Sequence, residues 1–249
     1  MKPALPSNEA QRLEALYRLQ ILDSLQEPAF EALSKLACLI CNAPTSALSL
    51  IDIDRQWFKA SINIEVPQTP REEAFCAHAI LQPDQLTYVP DTYDDPRFAD
   101  HPSVLKENGI RFYAGAPLML RDNLALGTLC VFDTKPLNLT AAQQKSLMQL
   151  ADQAVLLMNN RLLQQQSAEQ NLHLQQEKNR IDAIINGTNM GTWEWNVQTG
   201  HTVYNQYWYG ILGLDPQVQS DVEIWRSRVH PEDLPVASTA LDQHFAGIS

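Results

Sequence analysis

The sequence predicts an α+β fold in which an antiparallel sheet is flanked by helices and is followed by a long connecting helix and a second, incomplete α+β segment. Three observations support this prediction. Before residue 139, helical periodicity and strand-like alternation replace one another several times. Residues 140–186 contain neither Gly nor Pro, so nothing there breaks a helix. After Gly187 the composition changes, because four of the five tryptophans lie there.

The first part of the chain is expected to form two helices and a strand hairpin. Apolar residues recur on one helical face over residues 8–22, and Ser7 is placed to cap that helix. A second helix, 28–42, begins with a proline, which the first turn of a helix tolerates. Residues 45–54 and 56–63 alternate roughly between apolar and polar types around an Asp-rich turn, a pattern typical of paired strands.

Shorter elements are expected in the middle of the chain. Residues 71–81 favour a helix, residues 86–89 a short strand and residues 90–102 a turn-rich loop. Residues 103–108 favour a helical turn that Gly109 stops.

A second hairpin and a terminal helix complete the predicted sheet domain. Two apolar runs, 112–120 and 125–132, flank a polar turn at 121–123 and predict paired strands. The terminal helix begins with Thr140 as its N-cap. Its first half has apolar residues at heptad-like spacing, which predicts a parallel homodimer, with the first helix as a further contributor. The predicted interface consists of Leu147, Leu150, Ala154 and Leu157.

The terminal helix divides the chain into three segments. Residues 164–180 are polar almost all round, as in a helix that bridges two domains, and a Gln-rich linker without regular structure is the alternative. We therefore expect a sheet domain at 1–163, a helical linker at 164–186 and a second domain at 187–249.

Composition and charge exclude several classes of partner. The net charge is −11 and no basic block occurs, so we expect no nucleic-acid partner. No apolar run approaches the roughly 20 residues that cross a bilayer, so we expect no membrane partner. The N-terminus lacks a signal-peptide pattern, which makes the cytoplasm the expected compartment. Cys38 and Cys41 lie three residues apart without a second Cys/His pair, which favours core cysteines over a metal or redox site.

Residues 70–133 carry a distinctive combination of motifs. In chain order they include PREEAFCAHAI, VPDTYDDPRFADHPSVLKENGIRFYAGAPLML and ALGTLCVFD. This combination, together with the order of the elements, resembles the bacterial GAF-domain family over about residues 5–163. The resemblance implies a sensory or dimerisation role at the front of sensor histidine kinases and cyclic-dinucleotide enzymes.

The last segment carries motifs of its own. It reads TWEWNVQTGHTVYNQYWYGILGL and then RVHPEDL. The Trp-x-Trp strand and the His-Pro-Glu-Asp turn resemble the PAS family. That resemblance implies five strands, of which residues 187–249 provide the first two, so we expect the opening part of a PAS-like domain.

The GAF resemblance implies a small-molecule pocket between the sheet and the helices and loops that cover it. A concave, mainly apolar site with a few polar groups would suit a small-molecule effector. The candidate pocket residues are Phe75, Cys76, His78, Asp91, Phe98, Arg111, Tyr113 and Cys130. Core packing is the alternative role for Phe75, Cys76 and Cys130, and a structural role is the alternative for His78.

Signatures of the cofactor-binding relatives are missing from the sequence. The Asn-Lys-Phe-Asp-Glu set of cyclic-nucleotide sites and the Asp-Ile-Pro stretch of bilin sites do not occur, and the pair Cys76 and His78 is spaced differently from the bilin pair. The PAS-like segment lacks the Asn-Cys-Arg-Phe-Leu run of flavin photosensors. We therefore predict no bound cofactor and no metal, and leave an unidentified small-molecule ligand open.

The sequence thus predicts a regulatory input module of a signal-transduction protein, without catalytic residues of its own. Its signal would pass through helix 140–186 to an output such as a histidine kinase or a diguanylate cyclase or phosphodiesterase. One alternative is a structural dimerisation module without a ligand. Another resembles the free methionine sulfoxide reductases, in which a thiolate near Cys76 would attack sulfur and a second thiol would resolve it. Residues 90–101 lack the cysteine that this last resemblance requires.

Overall fold

The structure is a computed structural model of the chain that describes residues 2–120, 123–216 and 222–247. The chain divides into two compact units, Met1–Ala168 and Glu169–Ser249. The predicted boundaries at 163 and 186 stay predictions. Two residues of the predicted turn 121–123 lie outside the described residues.

The first unit is built on a six-stranded sheet in which every neighbouring pair of strands is antiparallel. The order across the sheet is β3-β2-β1-β6-β5-β4, so the N-terminal and C-terminal hairpins meet where β1 pairs with β6. The strands are β1 Thr45–Ile51, β2 Arg55–Ile62, β3 Gln68–Pro70, β4 Thr87–Val89, β5 Phe112–Leu120 and β6 Leu124–Asp133. This arrangement confirms the predicted α+β class with an antiparallel sheet flanked by helices.

Five helices accompany the sheet in chain order. They are α1 Glu9–Arg18, α2 Pro28–Cys41, α3 Phe75–Ala79, α4 Pro102–Leu105 and α5 Ala141–Thr188. The long helix predicted after Thr140 is therefore continuous through the polar stretch 164–180. No helix among the described residues is both long enough and apolar enough to cross a membrane.

The two faces of the sheet bury different sets of side chains. One face packs against α1, α2 and the first part of α5, around Leu48, Phe112 and Leu129. The other face packs against α3 and the loops beside it, around Tyr113 and Cys130. Because side chains alternate along a strand, neighbouring residues of β5 and β6 contact opposite layers of the fold.

Three local predictions were wrong in detail. The N-cap of α1 is Asn8 rather than Ser7, and its side chain makes no capping hydrogen bond. The predicted helix 71–81 is interrupted at Ala74, whose extended backbone separates a 3₁₀ turn from the short helix α3. The strand β3 was not predicted, because it is three residues long and includes Pro70, which only an edge strand accommodates.

The N-terminus of α5 is fixed by side-chain hydrogen bonds. Thr140 Oγ1 accepts from the backbone N–H of Gln143, and Gln143 Oε1 accepts from the backbone N–H of Thr140, which confirms the predicted cap. Gln143 also donates to the carbonyl of Ile40 at the end of α2, at 2.8 Å. Arg161 donates to Glu27 at the start of α2, at 2.8 Å. The first part of α5 therefore runs antiparallel to α2.

Buried charges attach α1 to the end of the central strand β1. Arg12 is 1% exposed and donates to the carbonyl of Ile51 at 2.7 Å. Glu9 accepts hydrogen bonds from both Arg12 and Arg71. Arg71 also donates to the carbonyl of Asp52 at 2.9 Å. The residues at this end of β1 are thus connected through one carboxylate.

The predicted dimer interface needs correction. Leu147 and Ala154 are 0% exposed, because they pack into the core of their own chain beneath the sheet. Leu150 and Leu157 are half-buried against the same core. Leu156 and Leu163, seven residues apart on the same helix, are 53% and 61% exposed instead. The heptad-like spacing of the sequence therefore marks the contact of α5 with its own domain.

The second unit contains a two-stranded antiparallel sheet and short helices. The strands are β7 Trp193–Trp195 and β8 Thr202–Tyr204, and the helices are α6 Gln206–Leu212, α7 Val222–Arg226 and α8 Leu234–Phe245. Asn205 caps α6 by accepting a hydrogen bond from the backbone N–H of Trp208, at 2.9 Å. Tyr204 stacks on the indole of Trp208 with ring centroids 3.8 Å apart.

Candidate functional site: a cavity beside a buried thiol pair

A cavity of about 440 Å³ lies on the sheet face that α3 covers. Strands β1, β2, β5 and β6 form one side of it, and α3, α4 and the loop 63–67 form the other. The apolar lining residues include Phe58, Ile64, Phe75, Tyr113 and Phe132, and the polar ones include Gln56, Asn63, Glu65, Glu73, Lys106, Asn108 and Asp133. A volume of this size suits a small organic molecule.

Four of the eight predicted pocket residues line this cavity. They are Phe75, Cys76, Tyr113 and Cys130. The other four, His78, Asp91, Phe98 and Arg111, do not line this cavity, and a ligand-binding role for them stays a prediction.

Phe98 and His78 support the cavity wall from behind. Phe98 is 0% exposed, and its ring stacks on that of Phe75 with centroids 4.4 Å apart. The ring of His78 contacts Phe98 edge-on at 5.1 Å. Phe75 also contacts Tyr113, at 5.4 Å between centroids. This aromatic cluster fixes the rings that face the cavity and leaves the cavity itself open.

Asp91 and Arg111 form an ion pair that organises the end of β5. Arg111 Nε donates to Asp91 Oδ1 at 2.9 Å, and its guanidinium lies 3.8 Å from the ring centroid of Tyr93. The Asp91 carboxylate also accepts from the backbone N–H of Tyr93 and caps the 3₁₀ turn Thr92–Asp94. The Arg111 guanidinium lowers the pKa of Asp91. The role of this pair is to position the loop.

The two cysteines of the cavity lie next to each other. Cys76 Sγ and Cys130 Sγ are 3.7 Å apart, and both residues are at most 2% exposed. The hydroxyl of Tyr113 donates to Cys76 Sγ at 3.3 Å. All four cysteines of the chain are free thiols, so the short distance is a contact and not a bond.

The surroundings of the thiol pair favour a negative charge on Cys76. Burial raises the pKa of this thiol, but interactions with the neighbouring side chains outweigh burial and lower the pKa below its ordinary value. The side chains that lower the pKa are Cys130, Ser49, Thr128 and Tyr113, of which Tyr113 donates directly to the sulfur. The hydrogen bond with Cys76, together with burial, raises the pKa of Cys130 well above its usual range. Of the two thiols, Cys76 is therefore the one whose ionisation the surroundings favour.

Gly115 provides the space that the Tyr113 hydroxyl needs. A Cβ atom at Gly115 would lie 2.2 Å from the Tyr113 oxygen. No real side chain occupies such a distance, so a larger residue would displace the hydroxyl from Cys76. The motif Phe-Tyr-Ala-Gly of β5 thus builds the donor and its space together.

The loop 63–67 was missed by the sequence prediction. Asn63 adopts a left-handed conformation with φ of 58°, and its side chain donates to the carbonyl of Pro44 at 2.7 Å. This hydrogen bond holds Ile64 and Glu65 beside the cavity. The left-handed Asn is the signal that was available, since Asn tolerates this conformation better than most residues.

The other two cysteines differ from the cavity pair. Cys41 is buried in the core beneath the sheet, as predicted, whereas Cys38 is half-exposed. Burial raises the pKa of Cys41 to about 11. Within residues 2–120, 123–216 and 222–247, no group of three or more His, Cys, Asp and Glu side chains is arranged to hold a metal ion.

The second unit has a smaller, separate cavity of about 120 Å³. Its lining is aromatic and aliphatic and includes Trp193, Trp195, Tyr204 and Trp225. The alternating tryptophans of β7 contribute to it from one side, and Leu241 of α8 from the other. This cavity is about a quarter of the size of the one in the first unit.

Two solved structures illustrate the structural likeness of the chain to known proteins. The GAF domain of an Acinetobacter phosphoenolpyruvate-protein phosphotransferase is 17% identical, with a TM-score of 0.46, covering 63% of this chain and 95% of that one. The blue-light-absorbing PixJ GAF domain of Thermosynechococcus elongatus is 14% identical, with a TM-score of 0.44, covering 68% of this chain and 98% of that one.

Sequence relatives are more informative. A cyclic di-GMP phosphodiesterase of Pseudomonas aeruginosa is 42% identical over 134 residues, which cover 54% of this chain and 23% of the relative. The chain thus spans less than a quarter of the length of this curated relative. The profile of the GAF-domain family matches residues 18–158. Since this match covers more than half of the sequence, the chain belongs to the GAF-domain family.

Proposed function

We propose that this chain is a sensory input module, in which a small molecule binds the cavity of the first unit and α5 carries the response toward an output domain. The observation that carries the proposal is the open cavity of about 440 Å³, which remains beside the tightly packed rings of Phe75, Phe98 and Tyr113. A purely structural module would gain stability by filling such a space, because voids cost packing energy.

Strand β6 offers a physical route from the cavity to α5. Cys130 and Phe132 line the cavity, whereas the alternating residues Leu129 and Val131 pack beneath the helices on the opposite face. A ligand that shifts β6 therefore acts on both layers at once. The ligand can bias the module only if it binds two arrangements of these layers unequally.

We infer the class of output from the sequence relative. The cyclic di-GMP phosphodiesterase of Pseudomonas aeruginosa is 42% identical over 134 residues, 54% of this chain. A cyclic-dinucleotide enzyme is therefore the output we favour, with a histidine kinase as the alternative. The second unit, with its Trp193–Trp195 strand and the turn at His230, would be a PAS-like element in that signalling protein. The cytoplasm stays the compartment predicted from the sequence.

We further propose a homodimer that uses the outer side of α5. Leu156 and Leu163 are exposed at heptad spacing, a pattern typical of a helix that pairs with another helix. This proposal replaces the interface predicted from the sequence, in which Leu147 and Ala154 are unavailable to a partner.

Small-molecule release tests the proposed binding role. The native chain and the variant Ile64→Trp are purified, unfolded and analysed for released small molecules by mass spectrometry. Ile64 lines the cavity on a loop, so the larger indole fills space without entering the core. We expect a molecule at close to one equivalent from the native chain and at least a tenfold loss in Ile64→Trp.

The matched control is Ile53→Trp, since Ile53 is 64% exposed and lies away from this cavity. It should release the same molecule as the native chain. Absence of any released molecule from the native chain, or equal release from Ile64→Trp, would contradict the proposed binding role.

Reduction of free methionine sulfoxide is the second candidate, which the thiol pair favours. Cys76 and Cys130 are close enough for one thiolate to attack the sulfoxide sulfur, which releases methionine and leaves a sulfenic acid. The second thiol would then attack that sulfenic acid, so that a disulfide forms and water leaves. Turnover of methionine sulfoxide coupled to NADPH through thioredoxin would support this activity, provided that Cys76→Ser abolishes it. Absence of turnover in the native chain would eliminate it.

A further inference from the structure

The thiol pair at the cavity has a second use that requires no ligand. Cys76 belongs to α3, which covers the cavity, and Cys130 belongs to β6, at the centre of the sheet. Their sulfur atoms are 3.7 Å apart, whereas a disulfide requires about 2.05 Å. A movement of less than 2 Å would join the cover of the cavity to its floor.

The hydrogen bonds around the pair give its two sulfur atoms different roles. Cys76 accepts from the Tyr113 hydroxyl, and its sulfur is in hydrogen-bond contact with that of Cys130 at 3.7 Å. Cys130 has an alternative acceptor in the carbonyl of Ala47, 3.5 Å away. Cys76 is thus placed as the attacking thiolate, and Cys130 as the thiol that keeps its proton until a later step.

The cavity gives a small reagent access to sulfur atoms that the outer surface hides. Both cysteines line the cavity although they are at most 2% exposed. A molecule of a few heavy atoms fits within about 440 Å³ with room to approach Cys76.

We propose that Cys76 and Cys130 form a reversible redox site, which a small hydroperoxide oxidises to a disulfide from within the cavity. The Cys76 thiolate attacks one oxygen of the hydroperoxide, the O–O bond breaks, and the departing alkoxide or hydroxide takes a proton from water. Cys76 becomes a sulfenic acid. Cys130 then loses its proton and attacks the sulfur of Cys76, an S–S bond replaces the S–O bond, and water leaves. A low-molecular-weight dithiol reverses the oxidation by thiol–disulfide exchange.

The disulfide would connect α3 to β6 across 54 residues of chain. Such a cross-link restricts the unfolded chain and holds the cover of the cavity closed, so oxidation should raise the melting temperature by roughly 5–10 °C. The inference concerns the same cavity as the proposed sensory function but rests on the thiol geometry alone. Chemical mapping of the bond requires no ligand, so the two proposals can fail independently.

Disulfide mapping on the full chain tests the inference. The chain is reduced, freed of reductant and treated with hydrogen peroxide near neutral pH; the remaining thiols are alkylated and the peptides are identified by mass spectrometry. We expect a peptide pair linked through Cys76 and Cys130, lighter by two hydrogens, that dithiothreitol separates. Cys38 and Cys41 should stay reduced over the same period, since burial raises the pKa of both.

Variants separate the two roles. Cys130→Ser should leave a sulfenic acid at Cys76 that dimedone traps, whereas Cys76→Ser should leave Cys130 unoxidised. Tyr113→Phe removes a donor from the attacking sulfur, so its oxidation rate should fall severalfold at pH 7 and recover at higher pH. Loss of Cys38 or Cys41 thiols before those of the pair, or no linked peptide from the native chain, would overturn the inference. Because the mapping uses the native chain, it stands even if a variant fails to fold.

Discussion

Glu9 accepts hydrogen bonds from two guanidinium groups that the fold has removed from solvent. Arg12 and Arg71 are 1% and 6% exposed, and both also donate to backbone carbonyls at the end of β1. Burial raises the pKa of the Glu9 carboxyl, but the two arginines outweigh burial and lower it to about 2. A single carboxylate thus balances two buried charges and connects α1 to the sheet.

Acid titration tests the role of Glu9. Its pKa is lower in the folded chain than the ordinary value of 4.5, so its contribution is complete above pH 4.5 and is lost as the pH falls toward 2. We expect the native chain to lose on the order of 2 kcal/mol of unfolding free energy over this window from this group. Glu9→Gln should lack this part of the pH dependence and should be less stable than the native chain at pH 7. Urea denaturation at pH 7 and across the acid window measures both effects.

Glu14→Gln is the matched control, because Glu14 is exposed on the same helix. It should retain the acid sensitivity of the native chain. An unchanged pH dependence in Glu9→Gln would contradict the assigned role.

Among single residues, the sequence placed the buried ones at the cavity more readily than the charged ones. Phe75, Cys76, Tyr113 and Cys130 line the cavity because they lie on the sheet face beneath the cover, where the family resemblance places them. Asp91 does not line the cavity, because a charged residue in a loop has the same signature whether it faces a ligand or an arginine. Its pairing with Arg111 depends on the approach of two segments that are 20 residues apart, which no local pattern reports.

At the scale of elements, α5 shows why periodicity alone left the dimer unresolved. Its buried positions and its outward leucines follow similar spacings, because both obey the helical repeat. The sequence predicted the extent of the helix from the absence of Gly and Pro. It could not tell which side faces its own sheet, since that depends on α2, to which Gln143 and Arg161 attach the helix.

Charge substitutions on the outer side of α5 test the proposed dimer. Leu156→Glu combined with Leu163→Glu places like charges at an interface and should give monomers in sedimentation equilibrium. Both side chains are more than half exposed, so circular dichroism should report an unchanged fold. The matched control, Leu25→Glu with Leu105→Glu, adds the same charge at exposed leucines outside α5 and should leave a dimer. A dimer that persists in the α5 variant would refute this interface.

At the scale of the whole molecule, two layers share one sheet. The cavity and its thiol pair lie on one face, and the helices α1, α2 and α5 lie on the other. The strands between them belong to both layers, which is the physical basis of the proposed coupling between occupancy of the cavity and the packing of α5. We propose that this coupling transmits a signal from a small molecule to α5.

Hydrogen exchange on one preparation tests the proposed transmission from the cavity to α5. The natively purified chain is compared with the same chain after it has been unfolded, freed of small molecules and refolded. We expect hydrogen exchange to be faster in the sample freed of small molecules, in the loop 63–67, in α3 and in the first part of α5 at residues 141–158. Exchange in α1 should be unchanged. Identical protection of α5 in the two samples would contradict transmission from the cavity to the helix.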